Sequence, residues 1–331
     1  MSVDQPAAPS GAPRHILVVA GSGRSGTSLF TGLAGRLGLH VPQPEVTANE
    51  TNPRGFGEPQ WLVDFHEELL ASADVMVVDG RPEAWELTDR VADDPEALNR
   101  LVDWLEAELS IADRIVLKDP RLAWFVRLHR RAAERVGADL RLATMLRHPA
   151  EVMRSRELAY GSNASPTART VGWVTIMLGI ERRSRSLPRA VVRYDDLMAD
   201  WRATLDAADA TLGLGLVAGA GEERLAEAGT LVDPTLHRSS AGWDDLAVPP
   251  RLLDLTVRTY DALGAMVGAA ETEQGAAHAE LDALFVELRD YYDECAEVAV
   301  SRASATARAE KRKVARRLRR KLREATESGQ V

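Results

Sequence analysis

The eight residues GSGRSGTS (21–28) combine three glycines, four hydroxyl side chains and one cation. This is the composition of a turn whose backbone N–H groups converge on an anion. Gly21, Gly26 and Ser28 hold their places in the triphosphate-binding pattern G-x-x-x-x-G-K-[ST], but Thr27 stands where the pattern needs lysine. That lysine reaches the β- and γ-phosphates, so its replacement speaks against a long Mg²⁺-bound triphosphate while a small terminal phosphate or sulfate still fits. Arg24 contributes a planar guanidinium fork, a shape suited to oxyanions.

The elements that must position this loop are readable around it. HILVVAG (15–21) is an apolar run entering the turn, and the following TSLFTGLAGRLGL has Leu29, Phe30, Leu33 and Leu37 at helical spacing. Further β-like runs are DVMVVDG (74–80), RIVLKD (114–119), LRLATML (140–146) and AVVRY (190–194). Helical patterns separate them: PQWLVDFHEELLA, PEALNRLVDWLEAELS, RLAWFVRLHRRAAERV and one near 167–186. This alternation predicts the α/β class, a phosphate-loop-like parallel sheet with helices on both faces and ligands at the carboxyl ends of the strands. Lys118 ends one such run, and Arg147 ends another at the start of RHPAEVMRSR, with Ser155 eight residues on and Pro149 favouring a helix start.

After about residue 245 the β-like runs stop. Leu281, Phe285, Leu288, Tyr292 and Cys295 keep an alternating four-three spacing, which suggests a helix packed on the domain or, second, a seam between copies of the chain. The expected parts are a disordered leader (1–14), an α/β domain (15–245), a helical extension (246–300) and a basic helical tail (301–331).

Composition narrows the function classes. With 331 residues and 45% hydrophobic content the chain can bury a sizeable core. The single cysteine, Cys295, cannot form an internal disulfide, and no Cys/His cluster has metal spacing, so no metal site is expected and a reducing compartment fits. No apolar run has the length of a signal-peptide core or a membrane span, so the chain reads as a cytoplasmic protein.

The net charge of −9 is unevenly spread, because residues 302–323 carry eleven Lys/Arg against Glu310 alone, a net of +10, which leaves −19 for the rest. An acidic body must therefore build any anion site locally. The basic tail reads as a solvated helix end, with peripheral contact to an anionic membrane surface as the next reading. Nucleic acid comes last, because no recognition fold accompanies the charges.

GSGRSGTS resembles the 5′-phosphosulfate loop of sulfotransferases that use 3′-phosphoadenosine 5′-phosphosulfate (PAPS). It is most similar to the branch with arginine ahead of Ser-Gly-Thr, as in protein-tyrosine sulfotransferases and many bacterial members. The resemblance runs over roughly residues 15–240. It implies that Gly23, Arg24, Ser25, Gly26, Thr27 and Ser28 hold the 5′-phosphosulfate, and that Arg147 with Ser155 clasps the 3′-phosphate. VLKDPRLAWF is similar to the family's Lys-Asp-Pro stretch, which puts Lys118 at the reaction centre. VVRYDDLMADW is similar to its Tyr-Glu-Asp-Leu segment near the adenine, with Tyr194 in the tyrosine place. LVDPTLHRSS (231–240) is similar to a late arginine-bearing segment over the 3′-phosphate, with Arg238 beside His237.

The implied reaction moves a sulfuryl group to a hydroxyl or amine of a small molecule, glycan or glycolipid. In-line transfer needs cations for the charge building on the departing phosphate and no metal; Lys118 and Arg24 suit that role. A hydroxyl acceptor also gains from a general base. Bacterial members carry an Asn-Pro-x-Gly-aromatic-x-Glu run, as Asn52, Pro53, Gly55, Phe56 and Glu58 do here, which makes Glu58 the first candidate and Glu50 the second. The tyrosine-sulfating branch sets its glutamate nearer Glu45 or Glu50, and Glu58 reads equally as a carboxylate favoured by a helix N-terminus.

His40 and His66 are further candidate bases. His148 reads as a local hydrogen-bonding residue, Arg121 as a partner of a carboxylate and Trp173 as core. Two rival functions are a phosphate-loop kinase, against which Thr27 counts, and a non-catalytic adaptor working through its C-terminal helices.

Overall fold

Continuous apolar runs become strands buried on both faces. The computed structural model describes residues 13–327 apart from 50, 51, 53, 54, 162, 163 and 234–240. Among them β1 (Arg14–Gly21), β2 (Arg114–Lys118), β3 (Ala138–Leu146) and β4 (Arg189–Arg193) form an all-parallel sheet of order β2-β1-β3-β4. This is the α/β class expected from the alternation. The register pairs Val19 with Lys118, Gly21 with Met145 and Leu146 with Arg193, so the carboxyl ends of all four strands open at one edge.

Between β1 and β2 run α1 (Thr27–Arg36), α2 (Gln60–Ser72), α3 (Ala84–Ala92) and α4 (Pro95–Ile111). A 3₁₀ turn (Pro120–Phe125) and α5 (Val126–Arg135) lead to β3, and α6 (Pro149–Tyr160) and α7 (Pro166–Ser184) lead to β4. Then come α8 (Tyr194–Ala199), α9 (Trp201–Leu212), α10 (Glu222–Gly229), α11 (Pro250–Gly264) and α12 (Gly275–Glu327). On one face of the sheet Leu17, Val19, Val116, Met145 and Val192 pack with Phe30 and Leu33 of α1 and Leu205 and Leu212 of α9. The alternate residues Ile16, Val18, Leu117 and Leu142 point the other way, where α5 and α7 pack, and are equally buried.

The run DVMVVDG (74–80) is a loop and not the expected strand. Asp74 adopts φ 53°, and the buried Asp79 carboxylate accepts the N–H groups of Met76 (3.1 Å) and Arg81 (2.9 Å). The Val77 carbonyl accepts the Trp124 indole N–H at 3.1 Å. Side chains thus take the backbone groups that a ladder would need.

The chain divides into two compact units, residues 1–285 and 286–331. The first holds the sheet and α1 to α11. The second is the continuation of α12, on which Val298, Val300 and Val314 are exposed. Among the described residues no helix is long and apolar enough to cross a membrane.

Candidate functional site

β1 delivers the chain into the glycine-rich loop. Gly26, the N-cap of α1, has φ 95°, and a Cβ there would lie 2.3 Å from Cδ2 of Tyr194, so both conformation and space require glycine. No side chain caps α1, and the Ser25 hydroxyl is buried without a hydrogen-bond partner. An uncapped helix N-terminus beside an orphaned hydroxyl is a donor set for an anion. Arg24 sits at the turn with φ 74°, a conformation that costs a non-glycine residue about 1–3 kcal/mol and is held by its surroundings. Its Nε donates to Ser155 Oγ at 3.1 Å, and its carbonyl accepts from Arg147 Nη1 at 3.2 Å.

Arg147 leaves the end of β3 and is 7% exposed. Its Nε donates to Glu151 Oε2 at 2.8 Å, and its guanidinium lies 4.3 Å from the ring centroid of Tyr194, the first residue after β4. Tyr194 thereby joins the strand ends: its ring packs under Gly26 and against Arg147, and burial pushes its phenol above the ordinary value. The helix start expected at Pro149 is present, with His148 Nδ1 accepting the Ala150 N–H at 3.3 Å, a local hydrogen bond of the kind expected.

Lys118 ends β2 and is 3% exposed. Its ammonium pairs with the buried Glu58 carboxylate and donates to Ser28 Oγ at 3.3 Å. The segment ahead of α2 brings Glu58 here: the Val46 N–H donates to the Glu58 carbonyl at 2.8 Å, and Glu45 bridges to Pro59. Gly57, with φ 64°, lies against Thr31 of α1, where a Cβ would come within 2.9 Å of Thr31 Cγ2. Asn52 Nδ2 donates to Ser28 Oγ at 3.4 Å. Burial raises the Glu58 carboxyl above the ordinary carboxylate value, against the opposing pull of Lys118.

Next to Lys118, Asp119 is fully enclosed and accepts from His66 Nδ1 at 2.7 Å and Arg121 Nη1 at 2.8 Å. Burial alone would raise the Asp119 carboxyl, but His66 and Arg121 overcome it and hold the group below the ordinary value. His129 stands beside His66 and is pushed down to about 3, chiefly by burial and further by His66. His66 and His129 are both fully buried, while His40 is engaged with Glu108 at 3.2 Å. None of these histidines lines the cleft described next. Arg121 pairs with Asp119 and Glu67, and Trp173 is core, as expected.

The strand ends enclose a cleft of about 1020 Å³. Every described member of the expected set lines it except Ser25, which lies beneath the loop: Glu58, Lys118, Arg147, Ser155 and Tyr194 join Gly23, Arg24, Gly26, Thr27 and Ser28. Glu50, His237 and Arg238 lie outside the described residues. Glu45 accepts from Gln43 Nε2 at 2.8 Å and does not line the cleft. Sequence reasoning missed Arg156, which lines the cleft beside Gly23; its place directly after Ser155 was the available signal. Among the described residues no group of three or more His, Cys, Asp or Glu side chains is placed to hold a metal ion.

No protein-family model matches the sequence, and no curated protein does. Among solved structures the chain is similar to the sulfotransferase domain of the Synechococcus PCC 7002 olefin synthase, at 17% identity and TM-score 0.39, covering 86% of this chain and 98% of that one. It is also similar to the sulfotransferase domain from the curacin biosynthetic pathway, at 18% identity and TM-score 0.42, covering 78% of this chain and 100% of that one.

Proposed function

We propose that this chain is a PAPS-dependent sulfotransferase acting on a hydroxyl or amine of a small molecule, glycan or glycolipid. The observation that carries this reading is the convergence on one cleft of an oxyanion loop, a second cationic anchor and a buried Lys–Glu pair, each from a different strand end. The loop offers the 5′-phosphosulfate the uncapped first turn of α1, with Thr27 and Ser28 lining the cleft. Arg147 with Ser155 suits the 3′-phosphate, a group that an ordinary triphosphate lacks. Tyr194, beneath Gly26, belongs to the nucleotide side of the cleft.

In the reaction the acceptor oxygen or nitrogen attacks sulfur as the bond from sulfur to the bridging oxygen breaks. The electron pair stays on that oxygen, and adenosine 3′,5′-bisphosphate departs. Lys118 and Arg24 offset the charge that develops on the phosphate. Glu58 takes the acceptor's proton, and its raised carboxyl makes it a stronger base than an ordinary glutamate. The pairing of Lys118 with Glu58 holds both side chains in place until the substrates compete for them.

Thermal unfolding with metal-free adenosine 3′,5′-bisphosphate, against Mg²⁺-ATP, tests the reading. A hundredfold excess over Kd stabilises by about 2.7 kcal/mol. The bisphosphate is expected to raise the Tm and Mg²⁺-ATP to leave it nearly unchanged. Stabilisation by Mg²⁺-ATP alone would sink the sulfotransferase reading in favour of a kinase, and none by either would favour an adaptor.

A further inference from the structure

We propose that Arg156, supported by Arg169, recognises an oxyanion on the acceptor, so that the preferred acceptor is an amphipathic acid whose transferable hydroxyl or amine sits on an apolar body. The inference rests on the sulfuryl-transfer reading and deepens it by naming the acceptor class.

The first ground is unpaired charge. The other cations lining the cleft are engaged: Arg24 with Ser155, Lys118 with Glu58, Arg147 with Glu151 and Arg121 with Asp119. The cleft's carboxylates Asp64, Glu67 and Glu58 are held by Gln60, Arg121 and Lys118. Arg156, half-buried, makes no hydrogen bond and no ion pair among the described residues. Its guanidinium lies against the loop, since a Cβ on Gly23 would come within 3.1 Å of Nη1.

Like charge surrounds it. Burial pushes Arg156 below the ordinary arginine value; Tyr160 pulls the other way, and Arg169 and then Arg24 each add a smaller downward push. Among the described residues Arg169, itself nine-tenths buried, has Nε and Nη1 unpartnered and the Glu157 carboxylate 3.8 Å from Nη2. Two neighbouring guanidinium groups with only the exposed Glu157 carboxylate beside them among the described residues favour an incoming anion, because it relieves desolvation and mutual repulsion together.

The second ground assigns that anion to the acceptor. The donor's phosphates already have the loop, Arg24, Arg147 and Ser155. Arg156 continues instead into Leu158, Ala159 and Tyr160 of α6, which line the same cleft. Leu158 is 71% and Tyr160 54% exposed, large apolar surfaces left open to solvent. An apolar body laid on them would present an attached carboxylate, phosphate or sulfate to Arg156.

Calorimetric titration of ω-hydroxylaurate and its methyl ester, with and without saturating adenosine 3′,5′-bisphosphate, tests this. The wild-type protein is expected to bind the acid about tenfold tighter than the ester, as a charge-assisted pair provides. Arg156→Gln should close that gap to within about twofold, and Arg156→Lys should keep part of it. Bisphosphate affinity should stay within about twofold of wild type in both variants. Equal binding of acid and ester by the wild type overturns the proposal. So does a tenfold loss of bisphosphate affinity in Arg156→Gln, which would assign the guanidinium to the donor. An acid preference that depends on Arg156 in a protein that binds no bisphosphate supports the oxyanion site and overturns the sulfotransferase reading alone.

Discussion

Arg147 and Lys118 are both buried cations at strand ends, 7% and 3% exposed, yet they are held differently. Arg147 is fixed by Glu151, by the Arg24 carbonyl and by the Tyr194 ring, and that arrangement can persist while an anion is bound. A ligand meeting a group already ordered loses little to ordering it. Lys118 is engaged by Glu58, the other charge that the proposed chemistry needs. At that end the resting contact must loosen before either group can act. The anchor end should therefore set affinity and the reaction end should set rate.

The sharpest way to break this division is Glu58→Gln, which removes the proposed base and half of the buried pair. Turnover from labelled PAPS is expected to fall by about 10²–10⁴-fold, the usual contribution of a positioned base, with bisphosphate affinity nearly unchanged. Unchanged turnover would remove Glu58 from the mechanism. Asp119→Asn comes next. It takes the carboxylate from the buried His66 and leaves Arg121 with Glu67, and is expected to cost roughly 3–5 kcal/mol in denaturant unfolding. Because the folded Asp119 carboxyl lies below its ordinary value, its contribution is present above the unfolded pKa and fades as pH falls through the folded one. A loss under about 1 kcal/mol would show that the Asp119 contacts count for little.

Arg147→Ala should weaken the bisphosphate by roughly tenfold to a hundredfold, about 1.5–3 kcal/mol, and leave turnover at saturating donor nearly intact. A fall in turnover with affinity preserved would reverse the roles of the two ends. The smallest effect concerns pH. Burial raises Glu58, so the rate should be lost as pH falls through a value above the ordinary glutamate's 4.5, while bisphosphate binding shows no such limb. Glu58→Gln should lack the limb too. For stability the sign is opposite to that of Asp119: the folded state holds the Glu58 proton more tightly, so this group favours folding at low pH and the advantage fades as pH rises.

Features written in consecutive residues were readable before the structure. The loop announces itself because its glycines, hydroxyls and Arg24 are adjacent, and the helix at Pro149 because proline pre-sets its first turn. Features written across the fold were not. Resemblance alone points to Tyr194, and its contact with Gly26, 168 residues away, arises only when the parallel register of the strands brings its ring under the loop. His66 and Asp119 meet across 53 positions in a site that no spacing rule describes. DVMVVDG has strand composition, but the Asp79 carboxylate spends its backbone donors locally. Arg156 has only its place after Ser155 to mark it in the sequence; that it lacks a partner among the described residues is visible only once its neighbours are in place.

Equilibrium titration of adenosine 3′,5′-bisphosphate, without metal, into wild type, Glu58→Gln and Arg147→Ala tests the central claim most directly. The account predicts tight binding by wild type, the same affinity within about twofold for Glu58→Gln, and at least about tenfold weaker binding by Arg147→Ala. No binding by the wild type, or equal losses in the two variants, would contradict it.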